Sequence, residues 1–210
     1  MSLDRGWVGE GSSQLGEILL LGIEEIIGAP GLNAILNLAR LKPGAAEVKN
    51  GDPLKRMDNI EIASVQEALE TMYGMRGGRG IALRAGRTSF KYLLRQYGVR
   101  LGLVDLNFRL LPVPTRLKTG LEILAALIGQ IGDDQVTIED QEKYWIWSSR
   151  SCPICWERVS HEQVCHFTVG YVQEFIAWAS GGRVFAVTET QCRAKGDPVC
   201  LIQIEKKSLD

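Results

Sequence analysis

Four residues near the C-terminal end of the chain carry side chains that bind metal ions: Cys165, Glu189, Cys192 and Cys200. Three thiolates and a carboxylate supply four anionic donors, a set that suits a tetrahedral Zn²⁺ ion. The segment between Cys192 and Cys200 is long enough to turn back on itself, and short apolar runs lie on both sides of it. The pattern therefore predicts a zinc site that joins the two strands of a hairpin.

A Cys-x-x-Cys pair, Cys152 and Cys155, precedes this set. Such a pair can bind the same ion, form a redox couple or close a turn at Pro153. If the pair took the places of Cys165 and Glu189, the site would hold four thiolates, and an iron–sulfur cluster would be an alternative to zinc. We therefore treat the pair as a candidate for additional metal binding or redox chemistry.

Aromatic side chains are the candidates for lining a ligand pocket. Trp145 and Trp147 alternate along a predicted strand and should point to one face of it, where they line either the core or a cavity. Core packing is the more common role for such residues. The full set of pocket candidates is Trp145, Trp147, Trp156, Phe167 and Tyr171.

The sequence shows no constellation that is typical of catalysis. It contains no Ser-His-Asp set, no convincing pair of carboxylates and no dinucleotide fingerprint. An ion held by four protein ligands also has no open position for water or substrate. The sequence thus favours a structural metal in a binding protein over an enzyme.

Composition predicts a globular, cytoplasmic protein. The chain has 210 residues, 45% of them hydrophobic, and 24 Lys and Arg balance 25 Asp and Glu to a formal net charge of −1. This balance gives no general reason to expect direct binding of nucleic acid. The apolar stretch from Leu15 to Ile27 contains Glu17, Glu24 and Glu25, so we expect neither a signal peptide nor a membrane span. Cysteines in such a chain are more typical of thiols or metal ligands than of disulfides.

The N-terminal part of the chain is predicted to be helical. Apolar residues recur there at helical spacing, and Gly-Ala-Pro-Gly at 28–31 ends the first helix. The stretch from Lys42 to Asn59 is rich in Pro, Gly, Lys and Asp and predicts a linker or mobile loop. The predicted helices cover residues 15–27, 32–41, 64–73, 80–97 and 115–131.

Strands are predicted mainly in the C-terminal part. Alternating and β-rich runs predict one hairpin from 135–138 and 143–148 and a second from 183–188 and 200–204. A helix from Glu162 to Ser180 lies between them and carries Cys165 in its first turns. This order of elements predicts an α+β fold in which an antiparallel sheet packs with helices.

The cysteine motifs resemble the signature of the 4-vinyl reductase domain family. The resemblance covers roughly the final third of the chain and rests on Cys152-Pro-Ile-Cys155, Cys165, Gly170, Gly182 and the run from Glu189 to Cys200. It implies a 4-vinyl-reductase-like ligand-binding fold, similar to subunits of vesicle-tethering complexes and to the sensory domains of aromatic-responsive bacterial regulators. It also implies that zinc is bound beside a buried pocket by Cys165, Glu189, Cys192 and Cys200.

The resemblance also implies an organisation for the chain. Residues 1–59 would form an N-terminal helical arm with a linker, and residues 60–210 would form the ligand-binding domain. The arm would provide the interface of a homodimer, and the signal would pass to a downstream protein partner.

Three functions follow from this interpretation. The first is a zinc-stabilised sensor or carrier of a hydrophobic, aromatic or tetrapyrrole-like small molecule. The second is an enzyme or accessory factor in vinyl reduction of a (bacterio)chlorophyll precursor, which would need an external reductant because no cofactor motif is present. The third is a scaffold subunit similar to vesicle-tethering proteins.

Overall fold

Helices and strands form an α+β fold in a computed structural model that describes residues 14–41 and 57–210. The described helices are α1 (Leu15–Leu38), α2 (Asn59–Tyr97), α3 (Leu106–Arg109), α4 (Val113–Ile131) and α5 (His166–Ser180). The described strands are β1 (Val136–Asp140), β2 (Tyr144–Ser149), β3 (Phe185–Gln191) and β4 (Cys200–Ser208). Short 3₁₀ turns lie at Pro153–Cys155 and Arg193–Lys195. The predicted α+β class is confirmed.

The described strands form one antiparallel sheet in the order β1-β2-β4-β3. Both predicted hairpins are present, and they join through the pairing of β2 with β4. In that pairing Trp145 lies opposite Ile204 and Trp147 lies opposite Ile202, and all four side chains are buried. The predicted alternation of β2 therefore places its two tryptophans on the core side of the sheet.

A glycine with positive φ divides each of the two longest described helices. Gly28 (φ 74°) interrupts α1 and Gly74 (φ 72°) interrupts α2, conformations that glycine adopts without a steric penalty. These breaks agree with the helix ends predicted near them. Helix α2 begins earlier than predicted, because Asp58 and Glu61 cap it reciprocally and the Glu61 N–H donates to the Asp58 carboxylate at 2.7 Å.

Helices α2 and α5 approach each other closely where both carry glycine. A Cβ atom added to Gly86 would lie 2.1 Å from the Phe167 carbonyl oxygen. A Cβ atom added to Gly170 would likewise lie 2.1 Å from the Leu83 carbonyl oxygen. Larger residues would push the helices apart, so this contact fixes the start of α5 and the residue before it, Cys165.

Helix α1 packs against α2. Leu19 and Ile23 of α1 are fully buried, and the Ser89 hydroxyl of α2 donates to the Ile18 carbonyl at 3.0 Å. By length and composition, α1 is the one helix in the described residues that would be able to cross a membrane. The break at Gly28 leaves two pieces, each shorter than the about 20 residues that a span requires. Helix α1 buries one part of its surface against α2.

The predicted linker from Lys42 to Asn59 falls mainly on residues 42–56, outside the described part of the chain. The division into 1–59 and 60–210 stays a prediction. A dimer formed through the N-terminal helices also stays a prediction.

Candidate metal centre

Three segments bring five cysteines and one glutamate into a buried cluster, which we call the thiol centre. The β2–α5 connection supplies two cysteines, the start of α5 supplies one, and the β3–β4 hairpin supplies the other two with the glutamate. The cysteines are 0 to 3% exposed and the glutamate is 7% exposed. The members of the centre are Cys152, Cys155, Cys165, Glu189, Cys192 and Cys200.

The sulfur atoms of the centre have the separations found in metal–thiolate sites. The Cys165 Sγ atom lies 3.5 Å from that of Cys152, 3.9 Å from that of Cys192 and 3.8 Å from that of Cys200. Around an ion with metal–sulfur bonds of about 2.3 Å, the corners of a tetrahedron are about 3.8 Å apart. Each of these three sulfurs therefore lies close enough to the Cys165 sulfur for the two to bind the same ion.

Cys165 is held at the N-terminal end of α5. The helix begins at His166, not at the predicted Glu162, and leaves Cys165 at the N-cap. There the Cys165 N–H donates to the Glu189 Oε2 atom at 2.9 Å. Val164 is 1% exposed, so the apolar pattern continues upstream of the helix and does not locate its start.

Backbone hydrogen bonds shape the β3–β4 connection. The Cys192 N–H donates to the Asp197 carboxylate at 2.8 Å, and the Arg193 N–H donates to the Cys200 Sγ atom at 3.3 Å. Gly196 adopts φ 95° after the 3₁₀ turn. Ligand spacing does not reveal the roles of Asp197 and Arg193, although the Gly-Asp-Pro run indicates a turn here.

Glu189 is an isolated carboxyl group in a sulfur-lined interior. One of its oxygens accepts the hydrogen bond from Cys165, while Oε1 is buried without a hydrogen-bond partner among the described residues. Burial, and after it the neighbouring Cys192 thiol, raises the pKa of Glu189 to about 9. A buried carboxylate oxygen without a partner costs free energy unless a proton or a cation satisfies it.

Two contacts attach the β2–α5 connection to its surroundings. The Ser160 N–H donates to the Ala194 carbonyl in the β3–β4 connection at 2.8 Å. The Arg158 guanidinium pairs with Glu70 of α2 at 2.6 Å, and the two side chains are only 8% and 12% exposed. The thiol centre is therefore connected to both the hairpin and α2.

The predicted pocket residues have different surroundings. Trp147, Phe167 and Tyr171 are at most 1% exposed, and the Tyr171 ring packs edge-on against both others with centroids 5.8 Å apart. Trp156 lies under an arginine guanidinium. Trp145 lines a cavity of about 430 Å³ between α4 and the sheet. A ligand-binding role for these residues stays a prediction.

Comparison with known proteins gives matches in structure and none in sequence. No protein-family model and no curated protein matches this chain. An oxygen-binding H-NOX domain related to soluble guanylate cyclases matches with a TM-score of 0.58 at 11% identity, over 95% of this chain and 97% of that chain. The fold is the H-NOX fold. A T. tengcongensis H-NOX mutant matches with a TM-score of 0.59 at 10% identity, over 95% of this chain and 100% of that chain.

These H-NOX structures overturn the resemblance to the 4-vinyl reductase domain family. They match nearly the whole chain, whereas the cysteine motifs cover roughly its final third. A few ligand residues define only a local spacing along the chain, and the same spacing occurs in proteins with different folds. The prediction of a zinc-stabilised sensor or carrier of a hydrophobic ligand is therefore wrong, as are its vinyl-reduction and tethering-scaffold alternatives.

The predicted cofactors, structural zinc or an iron–sulfur cluster, are contradicted by the same structures. Two of them are described in terms of heme redox potential, porphyrin distortion and heme distortion, and a third as an oxygen complex. The prediction took the cofactor from the cysteines, Glu189 and the family resemblance, without knowledge of the fold. Whether heme suits this chain depends on its own residues.

The histidines of the chain offer little for a heme iron. Heme needs an axial ligand that faces a flat apolar slot. His161 is exposed. His166 has a buried Nε2 atom without a hydrogen-bond partner, but burial and then the nearby Arg79 guanidinium lower its pKa, and Arg158 adds to this effect. The guanidinium groups of Arg79 and Arg158 therefore lie near this imidazole.

Two cavities in the described residues do not suit a porphyrin either. The cavity beside Trp145 contains Lys118, Arg183 and Lys206 but no histidine, cysteine or methionine. A second cavity of about 460 Å³ includes His161, but Arg158 and three glutamates also line it. Between α5 and the sheet, the Tyr171 ring packs against Trp147 and Phe167. These two cavities and the two histidines therefore do not fit heme.

Proposed function

We propose that this chain is a regulatory domain whose thiol centre binds a thiophilic metal ion through Cys165, Glu189, Cys192 and Cys200. The observation that carries the proposal is that the four ligating atoms lie within 4.8 Å of one another in the buried interior. Thiolate donors select soft ions over Mg²⁺ and Ca²⁺. The partnerless Oε1 atom of Glu189 adds a carboxylate donor that an ion would satisfy.

A regulatory role is supported by the position of the centre between elements. Four protein donors complete a tetrahedral shell and leave no position for a substrate. Occupancy would instead change how firmly the β2–α5 connection is held against the β3–β4 hairpin. The buried pair of Arg158 and Glu70 would carry that change to α2. The H-NOX fold supports the same role by analogy, because one neighbour was solved to study H-NOX activation.

Cadmium titration of the reduced, metal-free protein tests the binding step. We expect an ultraviolet sulfur-to-cadmium charge-transfer band that saturates with added Cd²⁺, together with a higher Tm. Binding to the folded state alone adds about 2.7 kcal/mol to the free energy of unfolding when free Cd²⁺ is 100 times the Kd. Absence of the band would reject the proposed site.

Matched variants separate the centre from other metal-binding side chains. The double variant Glu189→Gln/Cys192→Ser should show a smaller Tm increase than the wild-type protein, because two of the four donors are removed. His161→Ala removes an exposed imidazole outside the centre and should titrate like the wild-type protein. A parallel titration with hemin should give no Soret shift, and formation of a stable complex with an axial histidine would contradict the proposal.

Amide hydrogen exchange tests the regulatory step. Cd²⁺ should slow exchange in the β2–α5 connection and in the part of α2 around Glu70, because the Arg158–Glu70 pair links them. If exchange slows only at the cysteines and their immediate neighbours, the chain binds metal but the proposed regulatory step is wrong.

A further inference from the structure

The thiol centre contains two overlapping sets of four donors. One set consists of the carboxylate and three sulfurs of the proposed site, and the other consists of four sulfurs. In each set all ligating atoms lie within 4.8 Å of one another. The sets have Cys165 and Cys200 in common, so these two sulfurs belong to both.

The shared pair has the separation expected of bridging ligands. The sulfurs of Cys165 and Cys200 are 3.8 Å apart, the length of one edge of a metal–thiolate tetrahedron. On one side, Cys152 lies 3.5 Å from Cys165 and Cys155 lies 3.3 Å from Cys200. On the other side, Cys192 lies 3.9 Å from Cys165. Two tetrahedra that share the Cys165–Cys200 edge therefore use every donor of the centre.

The burial of the remaining sulfurs also favours two ions. With one ion in the proposed site, Cys152 and Cys155 remain buried at 3% and 2% exposure beside the shared pair. Their two sulfurs supply the donors that complete a second, four-sulfur shell with Cys165 and Cys200.

We propose that the thiol centre holds two thiophilic divalent ions bridged by the sulfurs of Cys165 and Cys200. Cys152 and Cys155 complete the coordination of one ion, and Glu189 and Cys192 complete that of the other. This inference rests on the proposed function and extends it from one ion to two. The two ions have different shells, because only one of them has an oxygen ligand.

Native mass spectrometry of the reduced protein with Cd²⁺ measures the number of ions directly. We expect two Cd²⁺ ions for each chain at saturation and two ¹¹³Cd NMR signals, one for four-sulfur and one for three-sulfur, one-oxygen coordination. Two saturating ions without a shared sulfur would give signals without mutual coupling, which would overturn the bridging arrangement.

Two double variants assign the ions to their sites. Cys152→Ser/Cys155→Ser should bind one ion and retain the signal with the oxygen ligand. Glu189→Gln/Cys192→Ser should bind one ion and retain the four-sulfur signal. His161→Ala, outside the centre, should still bind two.

The wild-type count separates the two proposals even if a variant fails to fold. One ion for each wild-type chain would overturn the two-ion centre and leave the proposed function intact. No bound ion would overturn both. X-ray absorption of the loaded wild-type protein provides a second measurement, because bridged ions scatter from each other at short range and a single ion does not.

Discussion

Glu189 occupies a position where the pattern of its strand favours an apolar side chain. Phe185 and Val187 precede it at the alternate positions of β3 and are buried on the same side. A carboxyl group in this register needs a partner in the interior, and the surrounding sulfurs provide a reason for it. One side chain thus distinguishes a thiol centre with mixed donors from a cluster made only of sulfur.

The contact between Tyr92 and Glu25 should make the free energy of unfolding depend on pH in the alkaline range. The Tyr92 hydroxyl donates to Glu25 at 2.7 Å, and Lys91 pairs with the same carboxylate. The hydrogen bond to Glu25 raises the pKa of Tyr92 to about 12, with burial and the charge of Glu24 adding to it and Arg95 opposing it. Unfolded tyrosine ionises near pH 10. The contribution of Tyr92 is therefore complete below that pH and is lost as the pH rises through about 12.

Urea unfolding of the wild-type protein and Tyr92→Phe across this range measures the effect. The variant should be the less stable protein below pH about 10, and the difference should shrink as the pH approaches the folded pKa. A difference that stays constant throughout the range would show that the hydroxyl does not contribute through this hydrogen bond.

The sequence predicts part of the thiol centre for a physical reason. Glu189, Cys192 and Cys200 lie on one hairpin, so local spacing alone brings them together. Cys152 and Cys155 enter the centre through the fold of the β2–α5 connection, and spacing could leave them only as candidates. The choice of cofactor depended on the wider fold, which short motifs do not determine.

At the level of elements, the spacing of hydrophobic residues and the positions of glycines correctly predict most of the helices and both hairpins. They locate the ends of these elements less accurately. Gly28 and Gly74 mark the breaks because each adopts a positive φ. The start of α5 is misplaced because Val164 is buried without being helical. Packing between elements therefore decides what the local pattern leaves open.

The α2–α5 contact gives a prediction at this scale. Gly170→Ala should lower the free energy of unfolding by about 1–3 kcal/mol, because its methyl group meets the Leu83 carbonyl and forces the helices apart. Gly80→Ala is the matched control, since nothing lies within 4 Å of its added Cβ atom. Alanine there should raise stability by about 0.5–1 kcal/mol through its helix propensity. Chemical denaturation of both variants measures these changes, and equal effects would contradict the close contact.

The whole molecule combines an H-NOX fold with the buried thiol centre. Sequence identities of 10 to 12% preserve the order of helices and strands but leave the interior free to change. In this chain aromatic rings pack between α5 and the sheet, and five cysteines and Glu189 gather at the thiol centre. One architecture can therefore carry different chemistries.

The pair of Arg158 and Glu70 should couple the thiol centre to the rest of the molecule. Glu70→Gln leaves a largely buried guanidinium without its counter-charge, so we expect a loss of about 3 kcal/mol in the free energy of unfolding and weaker Cd²⁺ binding. Glu162→Gln removes the 65% exposed partner of Arg79 and should cost about 0–1 kcal/mol. Urea unfolding and Cd²⁺ titration compare the two, and equal effects on both would exclude a special link through Arg158.

The near-complete burial of the sulfurs has a consequence for kinetics. Cysteines that are 0 to 3% exposed exchange an ion with solvent only when the surrounding connections open. We therefore expect loading and release to follow the rate of local opening, even where affinity is high. A domain built in this way would store a record of past exposure and respond slowly to a brief rise in concentration.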